Sequence, residues 1–138
     1  MTAHNPETIE KVKKWLSYAN DDLRSARHLM TLADCPYSLV AYHAQQCAEK
    51  ALKGYLICKE IDIPYTHNIS RLLDLCNPST GWLDVLRDAE TLTNYATAAR
   101  YPAEEEPVSN EDALEAIEFA AKVQQTVRDE LEKCGIKT

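Results

Sequence analysis

The sequence predicts an all-α protein, an up-and-down bundle of four long helices plus one short helix. Three observations lead there. Only 3 of the 138 residues are Gly, while Ala, Leu, Glu and Lys, the better helix formers, are plentiful. Val12, Leu16, Ala19, Leu23, Ala26, Met30 and Ala33 recur in alternating steps of four and three, the seam of a long helix packed nearly parallel or antiparallel to another. Val40, Ala44, Cys47, Ala51, Tyr55 and Cys58 fall on one side of a second helix turning about 100° per residue, and Ala48, Leu52 and Leu56 widen that stripe.

Helix one is expected from about Pro6, a residue suited to a first turn, to Ala33. Trp15, Tyr18, Leu29 and Leu32 broaden its apolar seam. Asp21, Asp22 and Arg24 read as solvated, although Asp22 shares the flank of Trp15 and Tyr18, which can face a cleft. Pro36 stops this helix, and helix two follows from about Tyr37 to Lys59. So short a connection makes the two an antiparallel hairpin. Glu49 and Lys53 are an i, i+4 pair in the favourable order, read as a surface ion pair of little energetic weight. Asn68 is placed to cap the short helix three, with Ile69, Leu72, Leu73 and Cys76 turned inward. Asn77-Pro78-Ser79-Thr80-Gly81 is a breaker cluster. Helix four is expected from Trp82 to Ala99, with Leu86, Ala89, Thr93 and Ala96 inside, and Arg100-Tyr101-Pro102 ends it. Glu104, Glu105 and Glu106 form a solvated acidic loop. Ser109 to Asp112 resembles a capping box for helix five, which runs to about Cys134 with Gly135 as its C-cap.

Length and composition describe a single domain over residues 1–138, large enough to bury a core. No apolar run approaches the ~18 residues of a membrane span, and the polar start from Met1 to Glu10 has no signal-peptide core. A cytoplasmic protein is expected. Cys35, Cys47, Cys58, Cys76 and Cys134 form no C-x-x-C pair and read as reduced, partly buried thiols. His4, His28, His43 and His67 have no zinc-like spacing, so neither metal nor cofactor is expected. The net charge of −7 argues against sequence-independent binding to long DNA or RNA.

A small local basic site remains open, and helix two offers one. His43, Gln46, Lys50 and Lys53 stand in one polar column at i, i+3, i+7 and i+10. Leu39 and Ile57 frame its ends, marking a contact surface for a partner subunit or a polar ligand. His67 precedes a helix N-terminus, where backbone N–H groups can hold an anion. Arg100 has the side chain best shaped to grip phosphate. The plainer alternatives are a histidine bonded within the structure for His43, solvated lysines for Lys50 and Lys53, a loop residue for His67, and a helix C-terminal or glutamate partner for Arg100.

Tyr42-His43-Ala44-Gln45-Gln46, then Glu49-Lys50-Ala51-Leu52-Lys53, then Thr66-His67-Asn68-Ile69, then Ala99-Arg100-Tyr101-Pro102, together with the Trp15, Ala19, Asp22-Leu23 and Ala26 pattern, resemble the HEPN domain (higher eukaryotes and prokaryotes nucleotide-binding). The resemblance covers nearly the whole chain and rests on the joint order of these pieces. It implies a homodimer with a cleft between subunits, a small nucleotidyltransferase encoded nearby as partner in a toxin–antitoxin-like pair, and a nucleotide or RNA as ligand. It adds Tyr101 to the candidate nucleotide- or anion-binding residues His43, Gln46, Lys50, Lys53, His67 and Arg100. Many members of the family are metal-independent ribonucleases that use an Arg, four to six arbitrary residues, then a His. Here Arg100 is followed at those distances by Glu105, Glu106 and Pro107, and Arg24 reaches His28 across only three residues. The usual general acid/base is therefore missing, and three adjacent carboxylates repel an RNA phosphate. A non-catalytic binding module is the leading expectation. A ribonuclease with a degenerate motif and a purely structural dimeric adaptor are the alternatives.

Overall fold

The computed structural model describes residues 4–95 and 107–138. The fold is all-α, with five α-helices, one 3₁₀ helix and no strand counted among the described residues. Helix α1 spans Pro6–Leu29, capped by Asn5, whose side chain accepts from the Glu7 N–H at 2.7 Å. It stops short of Ala33. The next N–H groups, of Thr31 and Leu32, reach only three residues back, and the Thr31 hydroxyl donates to the His28 carbonyl at 2.7 Å. Side chain and tightened turn together satisfy the carbonyls that another helical turn would have used.

Helix α2, Tyr37–Cys58, is the centre of the bundle. Ala41, Ala44, Cys47, Ala48, Ala51, Leu52, Tyr55 and Leu56 are all fully buried, and the helix packs against α1, α3, the 3₁₀ segment and the C-terminal helix. Small residues permit that crowding. Gly54 is the extreme case, because a Cβ there would lie 2.5 Å from Leu16 Cδ2 of α1. The helix closes with a Schellman motif: the N–H groups of Glu60 and Ile61 donate to the Ile57 and Leu56 carbonyls, and Glu60 takes the left-handed conformation at φ 57°.

Helix α3, Ile69–Thr80, starts on the Asn68 cap, whose Oδ1 accepts from the Arg71 N–H at 3.1 Å. It runs through Asn77-Pro78 for one more turn than the breaker cluster implied and ends at Gly81, with φ 71°. A proline removes a single N–H from the ladder, whereas the left-handed turn at Gly81 ends it.

The long helix four expected from Trp82 is replaced, as far as residue 95, by the short helix α4, Trp82–Val85, and a 3₁₀ helix over Arg87–Asn94. Its composition explains the change. The Thr91 hydroxyl donates to the Asp88 carbonyl and so competes with the backbone ladder there, while the Thr93 hydroxyl is tied to the Ile69 N–H at the start of α3. The buried set changes accordingly. Leu86, Ala89 and Leu92 are buried at a spacing of three, the period of a 3₁₀ helix, while the expected inner residue Thr93 is only half-buried. Ala96 and the acidic loop lie outside the described residues.

Helix α5, Asn110–Lys133, has the expected capping box between Ser109 and Asp112. It ends in a second Schellman motif with Gly135 at φ 89° and Ile136 buried. The five cysteines are free thiols, with Cys47, Cys58 and Cys76 buried. No described helix is long and apolar enough to cross a membrane.

Candidate anion-binding face

Two carboxylates organise the polar side of α2. Asp22 arrives from α1. Its Oδ1 lies 2.9 Å from His43 Nδ1, and its Oδ2 accepts from Lys50 Nζ at 2.7 Å. An ionised carboxylate only accepts, so Nδ1 carries the hydrogen of that bond. Asp22 is thus a paired, half-buried residue rather than the solvated one expected from its neighbours, its side chain only 12% exposed. The packing of α1 on α2 that buries the heptad seam also brings Asp22 across two turns of α2, from His43 to Lys50.

The second carboxylate is Glu49. Its Oε1 accepts from Gln45 Nε2 at 3.0 Å and from His67 Nδ1 at 2.7 Å, and its Oε2 accepts from Lys53 Nζ at 3.1 Å. The surface ion pair expected of Glu49 and Lys53 is in fact buried, with residue exposures of 4% and 9%, because the loop carrying His67 folds over it. Gln45, fully buried, also donates to the His67 carbonyl at 3.2 Å and accepts from Gln46 Nε2 at 2.8 Å. Burial pushes the Glu49 carboxyl upward, but hydrogen bonds from Gln45, His67 and Lys53, with the Lys53 charge, outweigh it and leave it below its ordinary value of 4.5.

His43 and Lys50 therefore gather on Asp22, and Gln46, Lys53 and His67 on the Gln45–Glu49 pair, along one side of α2. Leu39 stays exposed at one end of it, and Ile57 packs partly against the core at the other. Arg100 and Tyr101 lie outside the described residues. Sequence reasoning placed Asp22 on a flank that can face a cleft and paired Glu49 with Lys53 at the surface, but it read neither as an anchor of this face and gave Gln45 no role in it. One signal was available, since Gln45, Glu49 and Lys53 are spaced at i, i+4 and i+8 and so line up on the helix. In charge, Lys50 and Lys53 are balanced by Asp22 and Glu49. The two histidines keep partial exposure, 26% for His43 and 40% for His67, whereas Asp22 and Glu49 sit deeper at 12% and 5%. The two carboxylates thus lie beneath the side chains that donate to them.

The HEPN domain family matches residues 12–130 of the chain. The protein belongs to the HEPN family. A Methanocaldococcus jannaschii protein named as a putative toxin is 30% identical, with 94% of each chain covered. The crystal structure of ST0689, described as an archaeal HEPN homologue, superposes with a TM-score of 0.70 at 32% identity, covering 87% of this chain and 97% of that one. TT1696 from Thermus thermophilus superposes with a TM-score of 0.71 at 26% identity, covering 86% and 97%. The matched span takes in α1 to nearly the end of α5, so both carboxylate anchors lie inside the HEPN region.

Proposed function

We propose that this HEPN protein is a cytoplasmic, dimeric binding module whose α2 polar face holds phosphate groups of a nucleotide or RNA, and that it works with a nucleotidyltransferase-fold partner in a toxin–antitoxin-like system. The observation that carries the reading is the layering of the face. Gln46 and Lys50 present donors at its surface beside His43 and His67, and each of the four is held in place by Asp22, Glu49 or Gln45 beneath. Donors positioned before the ligand arrives lose less freedom on binding. An arriving phosphate also adds acceptor oxygens where the inward carboxylates leave donors unfilled. Arg100 and Tyr101 complete the site in this reading. The toxin name of the Methanocaldococcus jannaschii relative supports the biological setting, and the exposed Leu39 beside the polar column supports a subunit interface there.

Nucleotide titration of single variants tests the site. Lys50→Ala and Arg100→Ala should each weaken binding by roughly tenfold or more, the equivalent of one charge-assisted contact, with helical content unchanged. Normal binding by both variants removes the face from consideration. Sedimentation at ~100 µM, well above typical dimer affinities, should show a dimer; a monomer refutes the dimeric part. Copurification from the native host should bring down a nucleotidyltransferase-fold protein.

One observation favours a second reading, an unconventional ribonuclease. His43 and His67 are each oriented by a carboxylate, the arrangement that serves a general base. RNA cleavage by purified protein that disappears with Arg100→Ala would decide for it, and absence of cleavage decides for the binding module.

A further inference from the structure

A second polar groove lies between α1 and the end of α5. Asn20 and Asp22 are about 200° apart around α1, so this groove and the α2 polar face lie on different flanks of that helix. Lys13, Ser17 and Asn20 line it from α1, with Arg128 of α5 and Lys137 opposite, enclosing about 320 Å³. Among the described residues, Lys13, Arg128 and Lys137 have no carboxylate within ion-pair distance. Asp129 and Glu132 stand in the adjoining groove on the other side of Arg128, and Asp129 already accepts from Gln125 at 2.8 Å.

The floor of the groove is set by a directed chain of hydrogen bonds. Cys47 Sγ donates to Gln124 Oε1 at 3.9 Å, and Gln124 Nε2 donates to Asn20 Oδ1 at 3.1 Å. Burial, reinforced by Asp22, raises the Cys47 thiol to about 12 against the opposing charges of Arg128, Arg27 and Lys50, so the thiol remains a donor at neutral pH. The chain occupies the Asn20 acceptor and leaves its amide N–H groups for the groove. Arg128 Nε is buried and has no protein hydrogen-bond partner among the described residues.

We propose that the α1/α5 groove binds the phosphate group of a small phosphate monoester. Lys13, Ser17, Asn20, Arg128 and Lys137 all offer a donor or a positive charge, and the Asn20 acceptor is already taken. A tetrahedral dianion can engage the planar guanidinium fork, the Asn20 amide, the Ser17 hydroxyl and a lysine together, which a planar carboxylate does less well. The volume is at the small end for ligand pockets, which suits one phosphate with its attached sugar. The assignment is independent of the α2 face.

Site-resolved NMR titration of the ¹⁵N-labelled full chain tests it, with inorganic phosphate and adenosine monophosphate as probes and sodium chloride of equal ionic strength as control. At least one probe should give saturable shifts at residues 13–20 and 128–137 with a Kd below about 1 mM. Arg128→Met should weaken that binding by about tenfold, as expected for loss of a charge-assisted pair, with unchanged far-UV circular dichroism. Lys13→Gln, at an exposed position, should weaken it in the same direction and decides the matter if Arg128→Met does not fold. Tighter binding of the monoester than of free phosphate supports the proposal in full. Shifts no larger than with chloride overturn it, and so does unaltered affinity in the variant that folds. Affinity that appears only after removal of Thr138, which also lines the groove, means that the chain's own end fills it and equally overturns the proposal.

Discussion

Replacing Glu49 by Ala should destabilise the fold by about 3 kcal/mol, the lower end of the cost of stripping one member from a buried ion pair. Three donors lose their acceptor at once: Gln45, His67 and Lys53. Lys53 sets the magnitude, because its side chain is 11% exposed and has no other carboxylate partner among the described residues. The lower end applies because His67 is 40% exposed and lets water reach part of the network. At an unfolding entropy of about 2.1 cal/mol/K per residue, the 138 residues convert that loss into a Tm lower by about 10 °C. Glu49→Gln keeps the shape but offers one acceptor oxygen in place of two, so it should fall between Ala and wild type. The double variant Glu49→Leu/Lys53→Met removes both charges and should recover most of the loss. Acidity supplies a second arm. The folded carboxyl titrates below 4.5, so the native state binds its proton less readily than the unfolded chain does. Its stabilising contribution is complete above 4.5 and is lost as pH falls from there through the folded value. Glu49→Gln should flatten that acid limb. Urea unfolding followed by far-UV circular dichroism, at neutral and acid pH, measures all of this. A loss of under about 1 kcal/mol for Glu49→Ala, the level of an exposed pair, refutes the reasoning.

Gly54→Ala should destabilise by about 1 kcal/mol, since overpacking against Leu16 and Trp15 at about 1–3 kcal/mol exceeds a helix-propensity gain of about 1 kcal/mol; a raised Tm would show that the α1/α2 contact is looser. Asp22→Asn keeps a side-chain oxygen to position its partners but removes the negative charge paired with His43 and Lys50, so nucleotide affinity measured by titration should rise severalfold, and an unchanged affinity speaks against phosphate on that face. Alkylation of the folded protein at mildly alkaline pH, read by peptide mass, should label Cys35 and Cys134 before Cys47 and Cys76, whose thiols burial holds at about 12; early labelling of Cys47 would mean that the α2 core opens readily.

The apolar periodicities were sufficient for α1, α2 and α5, because long amphipathic helices repeat their signal over many turns. Seam residues Val12, Leu16, Ala19, Leu23 and Ala26 are all buried, as are the inner residues of α2. The stretch after Gly81 misled for a local reason. Leu86, Ala89 and Leu92 fit a spacing of three, while Leu86, Ala89, Thr93 and Ala96 fit a helix of 3.6 residues per turn, and over so few turns the two patterns hardly differ. Thr91 then bonds back to Asp88 within the segment, while Thr93 accepts from Ile69 of α3, a partner that no local pattern reveals. The site was half readable. The column from His43 to Lys53 follows from helical spacing, but Asp22 lies 21 residues before His43 and His67 lies 18 after Glu49. Those meetings depend on how α1 docks and how the 59–68 loop returns, which no single periodicity encodes.

The two sides of α2 constrain one another. Ala41, Ala44, Ala48 and Ala51 let α1 and its neighbours approach closely, and the same approach brings Asp22 within 2.9 Å of His43 and 2.7 Å of Lys50. A looser bundle with larger residues on that stripe would hold Asp22 away and leave Lys50 to water. Close packing therefore fixes the geometry of the polar face, and the polar face in turn loads the fold with two carboxylates whose burial is tolerable only while their donors are present. In the proposed phosphate-binding reading, ligand contact and stability are coupled at Glu49 and Lys53, where side-chain exposures of 5% and 11% make any truncation a folding defect first. They are separable at His43 and Lys50, which are about a quarter exposed. Variants at those two positions, rather than at the deeper pair, distinguish a lost ligand contact from a weakened bundle.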